Sequence, residues 1–115
     1  MDEQLTGKKH KVHNKLVRDR IPEIIEASGR TCVTEVLFTE DYLQALDAKL
    51  GEELAEYQES KSLEELADLL EVMVAVVKAR GYTWEELTRV REEKQARRGG
   101  FEARIFLKEV IEDAK

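Results

Sequence analysis

Between Leu43 and Val77 apolar side chains recur every three or four positions, and the run is interrupted once, at Ser60, Lys61 and Ser62. Spacing of that kind selects α-helix over strand, because three and four residues bring side chains back to the same face of a helix. Leu43, Leu46, Leu50, Leu54 and Tyr57 form the stripe of one long helix, with Thr39 expected to cap it and Glu40 and Asp41 in its first turn. Leu66, Leu70, Met73 and Val77 form the stripe of the next, opened by a Ser62/Glu65 capping box and stopped near Gly81. So short a link makes the two helices antiparallel neighbours.

The flanks follow the same logic. Pro22 suits a helical first turn, Ile21, Ile24 and Ile25 share a face, and Gly29 ends a short helix that starts near Asp19 or Arg20. Residues 31–37 alternate and are β-branched (Thr31, Val33, Thr34, Val36), which predicts a strand whose best partner is residues 104–107. Thr83 and Glu86 form a capping box for a fourth helix ending before Gly99 and Gly100. Residues 1–13, with Lys8, Lys9, His10, Lys11 and His13 and no periodicity, read as a flexible basic tail ahead of one domain spanning 14–115. The expectation is an all-α bundle of four helices per chain with one short two-stranded β element. Val72 to Val77 is apolar on every side, more than a lone domain of this size covers. A dimer completing a four-helix bundle, or a dimer of dimers, is therefore expected.

Charge narrows the partners. A net charge of -6 argues against a general grip on nucleic acid, which draws on clustered Lys and Arg. The single Cys32 leaves no internal disulfide, and no apolar run is long enough for a signal peptide or a membrane span, so a cytoplasmic setting is expected.

Lys49, Glu53 and Glu56 fall along one flank of the long helix, and Glu65 and Asp68 along one flank of the next. In an antiparallel hairpin Glu56 and Glu65 are equally far from the junction, as are Glu53 and Asp68, so four carboxylates can converge. Left alone they repel one another; a hard divalent cation with oxygen ligands compensates them, and Mg²⁺ keeps positions for water and phosphate oxygens. The plain alternatives are a Lys49–Glu53 ion pair, a purely capping Glu65, and solvated Glu56 and Asp68.

The runs KLGEELAEY at 49–57 and EELADLLEVMVAV at 64–76 resemble the ExxE and ExxD pair of the MazG-like all-α nucleoside triphosphate pyrophosphohydrolases. NKLVRDRIPEII at 14–25 and EEKQARRGGFEARIFLKEV at 92–110 resemble the small phosphoribosyl-ATP pyrophosphohydrolase-like members, so the likeness covers nearly everything after the tail. The resemblance implies Mg²⁺, with Mn²⁺ an acceptable substitute, on Glu53, Glu56, Glu65 and Asp68. It also implies triphosphate neutralised by Lys94, Arg97 and Arg98 at the end of the last helix. Lys15, Arg18 and Arg20 are further phosphate-binding candidates, against a plain reading of Arg18 and Arg20 as helix-start partners of Asp19 and Glu23. The implied reaction splits a nucleoside triphosphate between the α and β phosphorus atoms, releasing monophosphate and pyrophosphate, with Glu53 or Glu56 taking the proton of the attacking water. Two alternatives stand beside it: phosphoribosyl-ATP as substrate, and a non-catalytic helical dimerisation module. Glu92 occupies the position where larger MazG proteins carry an Asn that contacts the nucleotide, so base selectivity is not carried over.

Overall fold

The helices expected from the apolar stripes are present in a computed structural model, which describes residues 8–114 and holds four α-helices among them. These are α1 (Ile21–Ala27), α2 (Thr39–Ser60), α3 (Leu63–Ala79) and α4 (Trp84–Arg98). The α2–α3 hairpin is the principal tertiary contact, and α4 meets α3 alone among the helices. The chain turns from α2 to α3 at Lys61, which adopts a left-handed conformation (φ 58) while its N–H donates to the Tyr57 carbonyl at 2.7 Å. At the opposite end of the hairpin Arg80 donates to Asp47 at 2.8 Å, which holds the antiparallel register from the other side.

The caps differ in detail from the sequence expectation. Thr39 is the first helical residue and does not cap α2; Phe38 holds the cap position in extended conformation with no side-chain hydrogen bond. Ser62 Oγ accepts from the Glu65 N–H at 3.3 Å, but the reciprocal half of the box is missing because the Ser62 N–H donates to Ser60 Oγ instead. The consequence is functional: the Glu65 carboxylate is released from capping duty. Thr83 and Glu86 make both halves of their box, at 3.1 and 3.0 Å. Thr83→Ala is accordingly expected to cost about 1 kcal/mol in urea unfolding, a loss that Thr83→Ser should largely spare.

No strand forms among the described residues, which corrects the expected pairing of 31–37 with 104–107. The physical reason lies in the path of the chain. Arg104 closes a turn onto the Phe101 carbonyl with φ 60, a conformation no regular strand accommodates. Of the expected basic tail, residues 1–7 lie outside the described residues, and 8–13 are exposed without regular secondary structure.

Burial is sparse for a chain of this length. Leu46 is the buried hydrophobic residue of the described chain, at 2% exposure, whereas Leu54, Leu66, Leu70 and Met73 on the hairpin remain exposed. The radius of gyration is 21.0 Å and the longest dimension 76 Å; a compact domain of this length has a radius of about 13 Å. Helix α2 accounts for about 33 Å at 1.5 Å per residue, so α4 and the terminal segments project beyond the hairpin.

Candidate functional site

The hairpin register brings three carboxylates to one place. One oxygen each from Glu53 on α2 and from Glu65 and Asp68 on α3 lie within 4.8 Å of one another. Glu53 is 7% exposed, and Oε2 of Glu53 and Oε2 of Glu65 are both buried without a hydrogen-bond partner. Two acceptor-only oxygens taken out of water with no donor are costly, and a cation with oxygen ligands satisfies both. The residues present therefore fit a hard divalent ion: three carboxylates on rigid helices, two of them carrying unsatisfied buried oxygens.

Glu56 falls outside this trio. It is exposed one turn along α2, beside Glu53. Burial pushes the Glu53 carboxyl above the ordinary carboxylate range and Glu56 adds to the rise, while Lys49 at 3.4 Å opposes it. Lys49 itself is raised: burial alone would lower it, but the neighbouring carboxylates of Glu52 and Glu53 outweigh that effect.

The basic candidates divide into three groups. Arg18 reaches across from the segment before α1 and donates to Asp68 Oδ1 at 2.6 Å, and Lys15 lies 3.5 Å from Glu52. Both sit on the acidic hairpin face. Arg20 instead pairs with Glu23 at 3.3 Å on its own helix start, the plainer of its two readings. Lys94, Arg97 and Arg98 are exposed at the far end of α4 and make no ion pair among the described residues, so one chain does not bring them to the carboxylates.

Glu52 escaped the sequence reading. It accepts from both Lys49 (3.2 Å) and Lys15 (3.5 Å), tying the N-terminal segment to α2. Burial would raise its carboxyl, yet the two lysines outweigh burial and hold it below the ordinary range. The Lys49–Glu52 spacing of three was a signal available in the sequence; the Lys15 contact depends on tertiary structure and was not. Beside this tie, His13, Asn14, Lys15 and Leu16 face Ala45, Ala48 and Lys49 across a groove of about 340 Å³.

The chain is similar to an uncharacterized protein of Mycolicibacterium smegmatis, 66% identical over 41 residues that make up 36% of this chain and 42% of that protein. The match thus spans less than half of either. No family model matches the chain, and no solved structure matches it. No helix among the described residues is long and apolar enough to cross a membrane.

Proposed function

We propose that this protein is a Mg²⁺-dependent nucleoside triphosphate pyrophosphohydrolase of the MazG-like kind, working as a homodimer. The observation that carries the reading is the pair of buried, unsatisfied carboxylate oxygens of Glu53 and Glu65 facing the Asp68 carboxylate. Glu53, Glu65 and Asp68 would hold Mg²⁺, and the ion supplies neutralisation of phosphate oxygens when bound. Glu56, exposed one turn from Glu53 on the same helix, has the access to solvent that a base needs to take the proton of an attacking water. Arg18, paired with Asp68 at 2.6 Å and still half exposed, can exchange that carboxylate for a phosphate oxygen, for which its planar fork is suited. Lys15 and Lys49 line the groove of about 340 Å³ and give it positive charge, and the remainder of a nucleotide would have room there. Homodimerisation is supported by the exposed apolar side chains of Leu54, Leu66, Leu70 and Met73, which a second hairpin would cover in a four-helix arrangement.

The deciding assay offers the protein a panel of ordinary, deoxy and oxidised nucleoside triphosphates and phosphoribosyl-ATP with Mg²⁺, and identifies the products. Monophosphate together with pyrophosphate is expected, lost on chelation. Release of inorganic phosphate alone, or hydrolysis that a chelator leaves undiminished, would overturn the reading. The exposed hairpin face equally suits a non-catalytic association module, and the same assay separates the two. A module has no reason to gain melting temperature from Mg²⁺ and nucleotide, whereas a ligand site must.

A further inference from the structure

The acidic face of the hairpin carries counter-ions from its own chain. Of the three converging carboxylates, Glu53 pairs with Lys49 at 3.4 Å and Asp68 with Arg18 at 2.6 Å. Glu65 makes no ion pair among the described residues and keeps one buried oxygen without a donor. Three carboxylates this close repel one another, and the two cations relieve part of that repulsion.

The two cations are held differently. Lys49 stands on α2 itself, largely buried, and has a second carboxylate in Glu52 at 3.2 Å. It meets Oε1 of Glu53 and leaves Oε2, the buried oxygen without a partner, to the trio. Arg18 reaches its carboxylate from 50 positions away in the chain, out of residues 14–18, which precede α1 without regular secondary structure. Those residues make no backbone-to-backbone hydrogen bond to the hairpin among the described residues. Two ion pairs, Arg18 with Asp68 and Lys15 with Glu52, tie them down as a strap along α2 and α3. All four side chains are a third or more in water or close to it, and pairs so exposed hold weakly. The same strap forms one wall of the groove over Ala45 and Ala48.

A hard divalent ion draws its carboxylate oxygens to about 2.0–2.1 Å, and a guanidinium left on one of those carboxylates is then a like charge at close range. The repulsion falls on whichever internal cation is free to move. Lys49 is fixed by its place on α2 and shares its charge with Glu52; Arg18 stands half in water on a weakly held segment. We infer that Arg18 is the internal counter-ion of the carboxylate trio and that a divalent ion displaces it from Asp68, loosening the strap of residues 14–18 and freeing the guanidinium for a phosphate. The inference rests on the metal reading of Glu53, Glu65 and Asp68 and adds an order of events to it: metal first, Arg18 released by it, nucleotide next. Antagonism between two bound groups is reciprocal, so removing Arg18 strengthens metal binding.

Calorimetric titration with Mg²⁺ alone reads this antagonism without any turnover. Arg18 is half exposed, so Ala in its place leaves the hairpin packing intact. Arg18→Ala should bind Mg²⁺ about two- to fivefold more tightly than the native protein, the range an exposed ion pair sets. Arg20→Ala removes an equal charge two residues further on, one paired with Glu23, and should bind as the native protein does. Trypsin reads the strap: Mg²⁺ should speed cutting after Lys15 relative to cutting after Lys11, which lies outside it, and Arg18→Ala should show the faster rate without metal. Unchanged or weakened Mg²⁺ binding in Arg18→Ala, an equal gain in both variants, or a cleavage ratio that Mg²⁺ does not raise would each overturn the inference and leave the metal site standing. No Mg²⁺ binding by any of the three proteins would remove the metal site itself, and the inference with it.

Discussion

Glu53→Gln is expected to change two quantities in opposite directions: nucleotide turnover with Mg²⁺ falls by about 100-fold or more, while the melting temperature of the metal-free protein rises. The second half follows from where Glu53 sits. Its side chain is almost wholly buried, Oε2 has no donor, and burial with Glu56 holds the carboxyl above the ordinary range despite Lys49. A carboxyl raised in the folded state keeps its proton to higher pH than in the unfolded chain, so the folded state binds more protons between the two values. Stability therefore declines as pH rises from the unfolded value through the folded one, and the whole penalty is in force above it. Gln has the same shape and no charge to bury, and Lys49 keeps Glu52 at 3.2 Å. The variant should be the more stable at neutral pH without metal and should show a flatter decline from acid to neutral pH. Mg²⁺ should raise the melting temperature of the native protein and leave the variant almost unmoved. A variant less stable than the native protein at neutral pH would mean that Lys49 outweighs burial; an equal Mg²⁺ response in both would remove Glu53 from the ligand set.

The hairpin was legible in the sequence because its determinants are local. Leu43 to Tyr57 and Leu66 to Val77 repeat at helical spacing, and three residues between two helices leave no choice but antiparallel neighbours. Register follows from that geometry alone, which is why Glu53 and Asp68 could be set at matching heights from the sequence and do fall together with Glu65. Glu56 was expected at the same distance from the junction as Glu65, but side-chain direction as well as level decides convergence, and Glu56 stays exposed outside the converging trio. The capping pattern at Ser62 was visible, yet a competing hydroxyl two residues earlier took the Ser62 N–H, an outcome pattern alone does not rank. Contacts made by the segment before α1, Arg18 with Asp68 and Lys15 with Glu52, join residues 50 and 37 positions apart and have no periodic signal. The strand pattern of 31–37 forms no strand among the described residues, since strand propensity says nothing of which edge is within reach.

Leu46→Ala should be the most damaging single truncation in the chain, costing about 2–5 kcal/mol against the roughly 5–15 kcal/mol that a domain commands. Leu46 lies on the α2 stripe and is 2% exposed, and the described chain has no second hydrophobic side chain buried to that degree. The hairpin has little else of its own to fall back on. The surface of 10,996 Å² compares with about 6,500 Å² for a compact protein of this mass, so much of the apolar surface that a stable fold needs to cover is still in water. Stability that resides between copies depends on concentration, whereas stability within the hairpin does not. The two contributions are therefore separable in one experiment. Leu46→Ala should lower the urea midpoint at every protein concentration by a similar amount. Leu70→Ala, which truncates an exposed position on α3, should act mainly through association, shifting the midpoint most where the protein is dilute. If the native midpoint does not move with concentration, the exposed hairpin face is not an interface. If Leu46→Ala costs less than about 1 kcal/mol, well below the range for a filled core site, the α2–α3 contact is not what holds the carboxylates of Glu53, Glu65 and Asp68 at one level.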